Sequence, residues 1–149
     1  MKKLKANERG ASAVEFAIIL PLLVLILWGI IEFSILLYDK AMLTNLSREA
    51  ARAAIVFGNR GYNQVQIQTF LDTDSYVSGI RARYTEQLLS FKPGGGVLPP
   101  QVYPLADCDV TGAGQTCTIE VTYDYHWLYF PSWFGAVKTL TTRTSMRRE

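Results

Sequence analysis

From Phe16 to Ile31 no side chain carries a charge, and the apolar residues cover every face of a 3.6-residue repeat instead of one stripe. Sixteen residues rise about 24 Å as an α-helix, short of a hydrocarbon core of roughly 30 Å, so the span closes with Glu15 and Glu32 at its two edges. A carboxylate at an edge costs less than one at the bilayer centre, where an acidic residue adds roughly 2.5–3.5 kcal/mol. The pattern predicts a membrane-crossing helix over residues 11–37. The competing reading, a core helix of a soluble protein, must bury Leu and Ile on all faces inside a very small domain.

Past the span the pattern becomes one-sided. Leu43, Leu46, Ala50, Ala53 or Ala54, and Phe57 recur at three- and four-residue steps, which predicts that the helix continues as the spine of an external domain until Gly58 stops it. Glu49 and Arg52 are spaced to pair across one turn on a solvated face, a contact worth a few tenths of a kcal/mol. A second helix is expected from about Ser75 to Phe91, with Val77, Ile80, Tyr84, Leu88 and Phe91 as its apolar stripe and Asp74 as its cap. Lys92-Pro93-Gly94-Gly95-Gly96 ends it, and the glycines are a connector because no Gly-Lys-Ser/Thr follows.

Ile119, Val121, Tyr123 and Tyr125 then alternate with Thr118, Glu120, Thr122 and Asp124, the period-two signature of a strand with one buried face. With turn chemistry at Thr111–Gln115, residues 107–125 are expected to form a hairpin, within a run of hairpin and C-terminal strands over about 101–146. Cys108 and Cys117 flank that turn. Outside the cytoplasm they can close a ten-residue loop by a disulfide worth roughly 2–3 kcal/mol; two free buried thiols are the alternative. The aromatic stretch 126–134 is either packed on the helical spine or exposed as an anchor for another subunit.

Composition and charge remove several function classes. Hydrophobic residues make up 49% of the 149 and charged residues 19%, which fits one small domain. The net charge of +2 comes from Lys2, Lys3, Lys5 and Arg9, opposed only by Glu8; beyond residue 10, eleven Lys/Arg face twelve Asp/Glu. Nucleic acid is therefore an unsuitable partner, and the cationic head predicts a cytoplasmic N-terminus with the rest outside. A single His and two Cys without a CxxC pair leave no metal site or His relay, and the paired acidic residues at 72–74 and 107–109 lack the full Ca²⁺-loop pattern. No cofactor is expected. A secretory signal peptide does not fit either, because no small-residue cleavage site follows the apolar run.

The sharp junction lies ahead of the apolar run. Arg9-Gly10-Ala11-Ser12-Ala13-Val14-Glu15-Phe16 resembles a class III, prepilin-type leader junction, with Gly last in the leader and Glu fifth in the mature chain. Leu20-Pro21-Leu22-Leu23, Gly29–Phe33, Leu43–Arg52 and the closing Leu140–Arg147 are similar to the TadE-like pseudopilins of tight-adherence (Flp-type) pilus systems. The resemblance implies cleavage between Gly10 and Ala11 by a prepilin peptidase, leaving a leader of residues 1–10, a membrane helix over 11–37 and an extracytoplasmic domain over 38–149. It further implies a minor pilin or pseudopilin in a bacterial inner membrane. Its partners would be the peptidase, other pilins, the assembly platform and the lipid bilayer.

Two roles for Glu15 stay open: a first-turn charge favouring the helix dipole by about 0.3–1 kcal/mol, and, as the resemblance implies, pairing with the α-amino group of a neighbouring subunit. Pro21 has no amide proton to give the carbonyl of Ala17, so either the helix kinks there or regular helix begins at Pro21. The expected architecture is α+β: a long N-terminal transmembrane and spine helix, then a small pilin-like domain with an antiparallel sheet and one disulfide. Its work is assembly and not catalysis. The alternatives are an uncleaved single-pass anchor with a periplasmic ligand-binding or adhesive domain, and a tethered hydrolase, for which no convergent polar set is visible.

Overall fold

A computed structural model describes residues 8–57, 63–89, 98–108, 114–128 and 137–147, the side chains of Glu8, Arg9 and Phe57 excepted. The leader residues 1–7, the connector glycines, Phe91 and the aromatic residues 129–134 lie outside the described residues, as does the packing expected of Phe57. Helix α1 (Glu8–Phe57) is followed by α2 (Gln64–Thr73), α3 (Ser75–Gln87) and strands β1 (Gln101–Pro104), β2 (Thr116–His126) and β3 (Val137–Arg147).

The helix α1 is one element with two environments. From Ala11 to Ile31 only Val24 and Gly29 are even half-buried, whereas Leu43, Leu46, Ala50, Ala51, Ala53 and Ala54 are buried in the core. The alanines keep the helix surface flat, so a sheet can approach it closely while larger residues fill the gaps between. Pro21 stands inside the uninterrupted helix, so regular helix does not wait until residue 21 to begin. The ring's missing donor is tolerated on an exposed stretch whose neighbouring turns remain bonded.

The three strands form an antiparallel sheet in the order β1-β2-β3. On β2 the period-two reading holds: Cys117, Ile119, Val121, Tyr123 and Tyr125 are buried, and the residues between them are less so. The hairpin differs from the expected one. The strand pairing with β2 on its first side is β1, with Pro104 opposite Ile119 and Gln101 opposite Thr122, so it ends before Cys108 instead of containing it. Among the described residues Gly114 alone carries a positive φ, 83°, just before β2 begins, a conformation that glycine adopts without the Cβ clash of other residues.

The second helical region also differs. The helix expected from about Ser75 is α3, with Asp74 as its N-cap accepting from the amide of Tyr76 at 2.8 Å, while α2 precedes it unexpectedly and ends on the same Asp74 as its C-cap. The stripe of α3 is as read, with Val77, Ile80, Tyr84 and the capping Leu88 buried. Helix α2 flanks the short edge strand β1, where the side-chain amides of Gln64 and Gln68 donate to the carbonyls of Pro104 (3.1 Å) and Val102 (3.4 Å). These bonds occupy carbonyls that an open sheet edge would offer to another chain.

Candidate assembly helix and its junction with the sheet

Directions along the spine decide which end of the sheet meets the apolar helix. Thr142 Oγ1 donates to the carbonyl of Leu43 at 3.2 Å, and the hydroxyls of Thr144 and Ser47 pair at 2.6 Å, so β3 ascends alongside α1. Ser47 already gives its hydroxyl proton to the carbonyl of Thr44, which makes Thr144 the donor in that pair. Strand β2, antiparallel to β3, descends, and its last rung, His126 opposite Val137, lies toward the apolar half of α1.

There the helix presents Glu32, with no exposed surface at all. Tyr125 Oη donates to Glu32 Oε1 at 2.8 Å, and the backbone amide of Leu128 donates to the same oxygen at 2.9 Å. A buried carboxylate without donors costs several kcal/mol, and these two bonds supply the compensation that water gives elsewhere. Burial, and then the acceptor Glu32 beside it, push the Tyr125 hydroxyl far above its ordinary pKa, so it stays a neutral donor. Trp127 meets the Tyr125 ring edge-on at a centroid distance of 5.6 Å, which fixes the ring that carries the hydroxyl.

A second acid, Asp39, is wholly buried two turns further along, where its Oδ1 accepts from the amide of Leu89 at 3.0 Å. Its Oδ2 has no hydrogen-bond partner among the described residues. Desolvation raises its pKa above the ordinary carboxylate value, and the Leu89 amide opposes that rise. Higher on the spine, Glu49 accepts from Tyr84 Oη at 2.9 Å, so its partner is a tyrosine on α3 and not Arg52 as the spacing suggested. Burial, followed by Glu49, also raises the Tyr84 hydroxyl. Together Glu32, Asp39 and Glu49 form a line of acceptors that ties sheet and helices to α1.

Of the residues singled out in the sequence, Gly10, Ala11, Glu15 and Phe16 lie together in the first turns of α1, Phe16 with 60% of its surface exposed. Glu15 is exposed and makes no hydrogen bond or ion pair among the described residues. Pro21 is exposed, Glu32 is buried against β2, and Cys108 and Cys117 are joined by a disulfide at the opposite end of the sheet. Glu15 and Glu32 are thus not brought together: one faces outward near the helix start, the other inward. Sequence reading missed Tyr125, Leu128, Asp39 and Tyr84 as partners. Among the described residues no three His, Cys, Asp or Glu side chains converge as metal ligands.

The helix is long and apolar enough to cross a membrane, and its most apolar eighteen residues have a mean hydropathy of 2.7 with none of the window buried. Residues 10–52 match the family of TadE-like proteins. The match starts at the residue read as the end of the leader and runs past the exposed half of α1 into the buried spine. No curated protein and no solved structure matches the chain. The sheet carrying Tyr125 and the disulfide lies outside the TadE-like segment, so the roles of those residues rest on their geometry alone.

Proposed function

We propose that this chain is a minor pilin or pseudopilin, cleaved between Gly10 and Ala11 by a prepilin peptidase, which takes part in assembling or priming a tight-adherence pilus from the inner membrane. Its role is structural and not enzymatic. The observation that carries the reading is the division of α1: an apolar half that is exposed over most of its length, continuous with a half that is the core of the outer domain. A helix of that kind couples events among membrane helices to a folded domain without an intervening hinge. Exposed Glu15 remains available to the amine that cleavage would create on a neighbouring subunit. The cationic head favours an N-terminus in the cytoplasm and the sheet outside it.

One observation favours an uncleaved single-pass anchor carrying a ligand-binding or adhesive domain: α1 runs unbroken from Glu8 through the Gly10–Ala11 bond. A peptidase needs that bond extended. Gly10 lowers the cost of opening it, since glycine is about 1 kcal/mol worse than alanine in a helix. N-terminal sequencing of protein from its native membrane separates the two readings. A chain starting at Ala11 supports the pilin, and an intact Met1 overturns processing. In parallel, Gly10 replaced by a bulky residue should leave a slower-migrating precursor.

A further inference from the structure

We propose that the His126 end of the sheet rests in the outer headgroup region of the bilayer, with Trp127 and Leu128 touching lipid, so that the domain is seated on the membrane by its sheet as well as by its helix. The inference rests on the reading of α1 as a membrane span.

The depth follows from helix geometry. Glu32 stands seventeen residues beyond Glu15, a rise of about 26 Å against a hydrocarbon core of roughly 30 Å. With Glu32 placed at the outer boundary, the Leu128 amide bonded to it is at the boundary too. With Glu15 placed at the inner boundary, Glu32 and that amide lie about 4 Å inside the apolar layer. Both limits put the end of β2 at the membrane surface or just below it.

The surroundings of this level have the character of an interface. Trp28, Phe33 and Tyr38 bracket Glu32 on α1 and are 49%, 60% and 40% exposed. Half-buried Trp127 adds a fourth ring from the sheet. Tryptophan and tyrosine concentrate where hydrocarbon meets headgroups, because an apolar ring with one polar atom suits both layers. Exposed Lys138, opposite Tyr125 in the ladder, stands one rung from the end, within reach of lipid phosphate from a site at this depth. Glu32 is buried by the protein itself, and Tyr125 and Leu128 donate to its carboxylate, so an acid at this depth does not face the apolar layer without donors. Exposed Phe33 and Leu37 carry the apolar surface of α1 past the level of Glu32, so lipid that covers the helix there reaches this end of the sheet as well.

The test uses the full chain reconstituted in phosphatidylcholine/phosphatidylglycerol vesicles. W28F/W133F leaves Trp127 as the one tryptophan, and W127F/W133F leaves Trp28. Retained disulfide and helical circular dichroism establish that each variant is folded. Emission from Trp127 is expected to be blue-shifted, poorly quenched by aqueous acrylamide, and quenched more by lipid brominated near the carbonyl end of the acyl chain than near the methyl end. Trp28 should be quenched by bromolipid as well. If Trp28 is quenched by bromolipid but Trp127 only by acrylamide, the inference fails and the span survives. If Trp127 is shielded from both quenchers, protein and not lipid covers it, which also overturns the proposal. An unquenched Trp28 would overturn the span and the inference together.

Discussion

Replacing Tyr125 by Phe keeps the ring against Trp127 and removes only the hydroxyl that donates to Glu32. A hydrogen bond to a charged group contributes about 1.5–3 kcal/mol, and here the acceptor is fully buried, so its lost donor is not replaced by water. The Leu128 amide still bonds the same oxygen, which leaves the carboxylate partly satisfied and sets the expected cost near 2 kcal/mol. Tyr84→Phe is the internal comparison. Its acceptor Glu49 is only half-buried, so water recovers part of the loss and the expected cost is about 0.5–1.5 kcal/mol. Urea unfolding of the full chain in detergent micelles, followed by tryptophan emission with the disulfide intact, measures both. Combining Tyr125→Phe with Glu32→Gln in a double-mutant cycle should give a coupling of about 1–2 kcal/mol. A Tyr125→Phe cost no larger than that of Tyr84→Phe, or a coupling indistinguishable from zero, would refute the view that the sheet is held to α1 through Glu32.

Replacing both Cys108 and Cys117 by Ser releases a ten-residue loop and should lower stability by about 2–3 kcal/mol in the same assay; thiol trapping of native protein should find both blocked. For Asp39, a raised folded-state pKa means that the folded chain holds the proton more tightly, so its contribution to stability grows as pH falls through the raised pKa and is lost as pH rises through it. Asp39→Asn keeps an oxygen for the Leu89 amide, so at pH 7 it should be more stable than the parent, with the gap closing toward pH 4; a pH-independent gap refutes the argument. Glu15→Gln should leave membrane insertion intact but weaken crosslinking to pilin partners in the processed fraction, whereas a dipole role alone costs under about 1 kcal/mol and leaves crosslinking at the parental level.

What the sequence discloses is what repeats along the chain. The spine of α1 and the buried face of β2 were legible because each presents its apolar residues at one fixed period, 3.6 or 2, and a period survives without knowledge of the partner. Helix α2 did not, because Gln64-Val65-Gln66-Ile67-Gln68 alternates like a strand while the residues it buries fully, Ile67 and Leu71, stand four apart. Its true signal was the start: Asn63 and Gln66 bond reciprocally through side chain and backbone at 3.0 Å, a capping box with Asn at its head. Strand β3 has Leu140 and Thr142 as its buried residues and owes its form to eleven rungs with β2, not to a pattern of its own. Glu32 is the instructive case. A carboxylate at the end of an apolar run reads as a boundary marker, yet its donors lie 93 and 96 residues away in sequence, beyond any local period. The legible part was the demand: a charge that must leave water requires donors. A tyrosine on the buried face of a strand, with a hydroxyl that itself needs an acceptor, makes the complementary demand. Pairing unmet demands across distant elements reaches the contacts that periodicity cannot, and in this chain it links the one charge between Glu15 and Asp39 to the last buried tyrosine of β2.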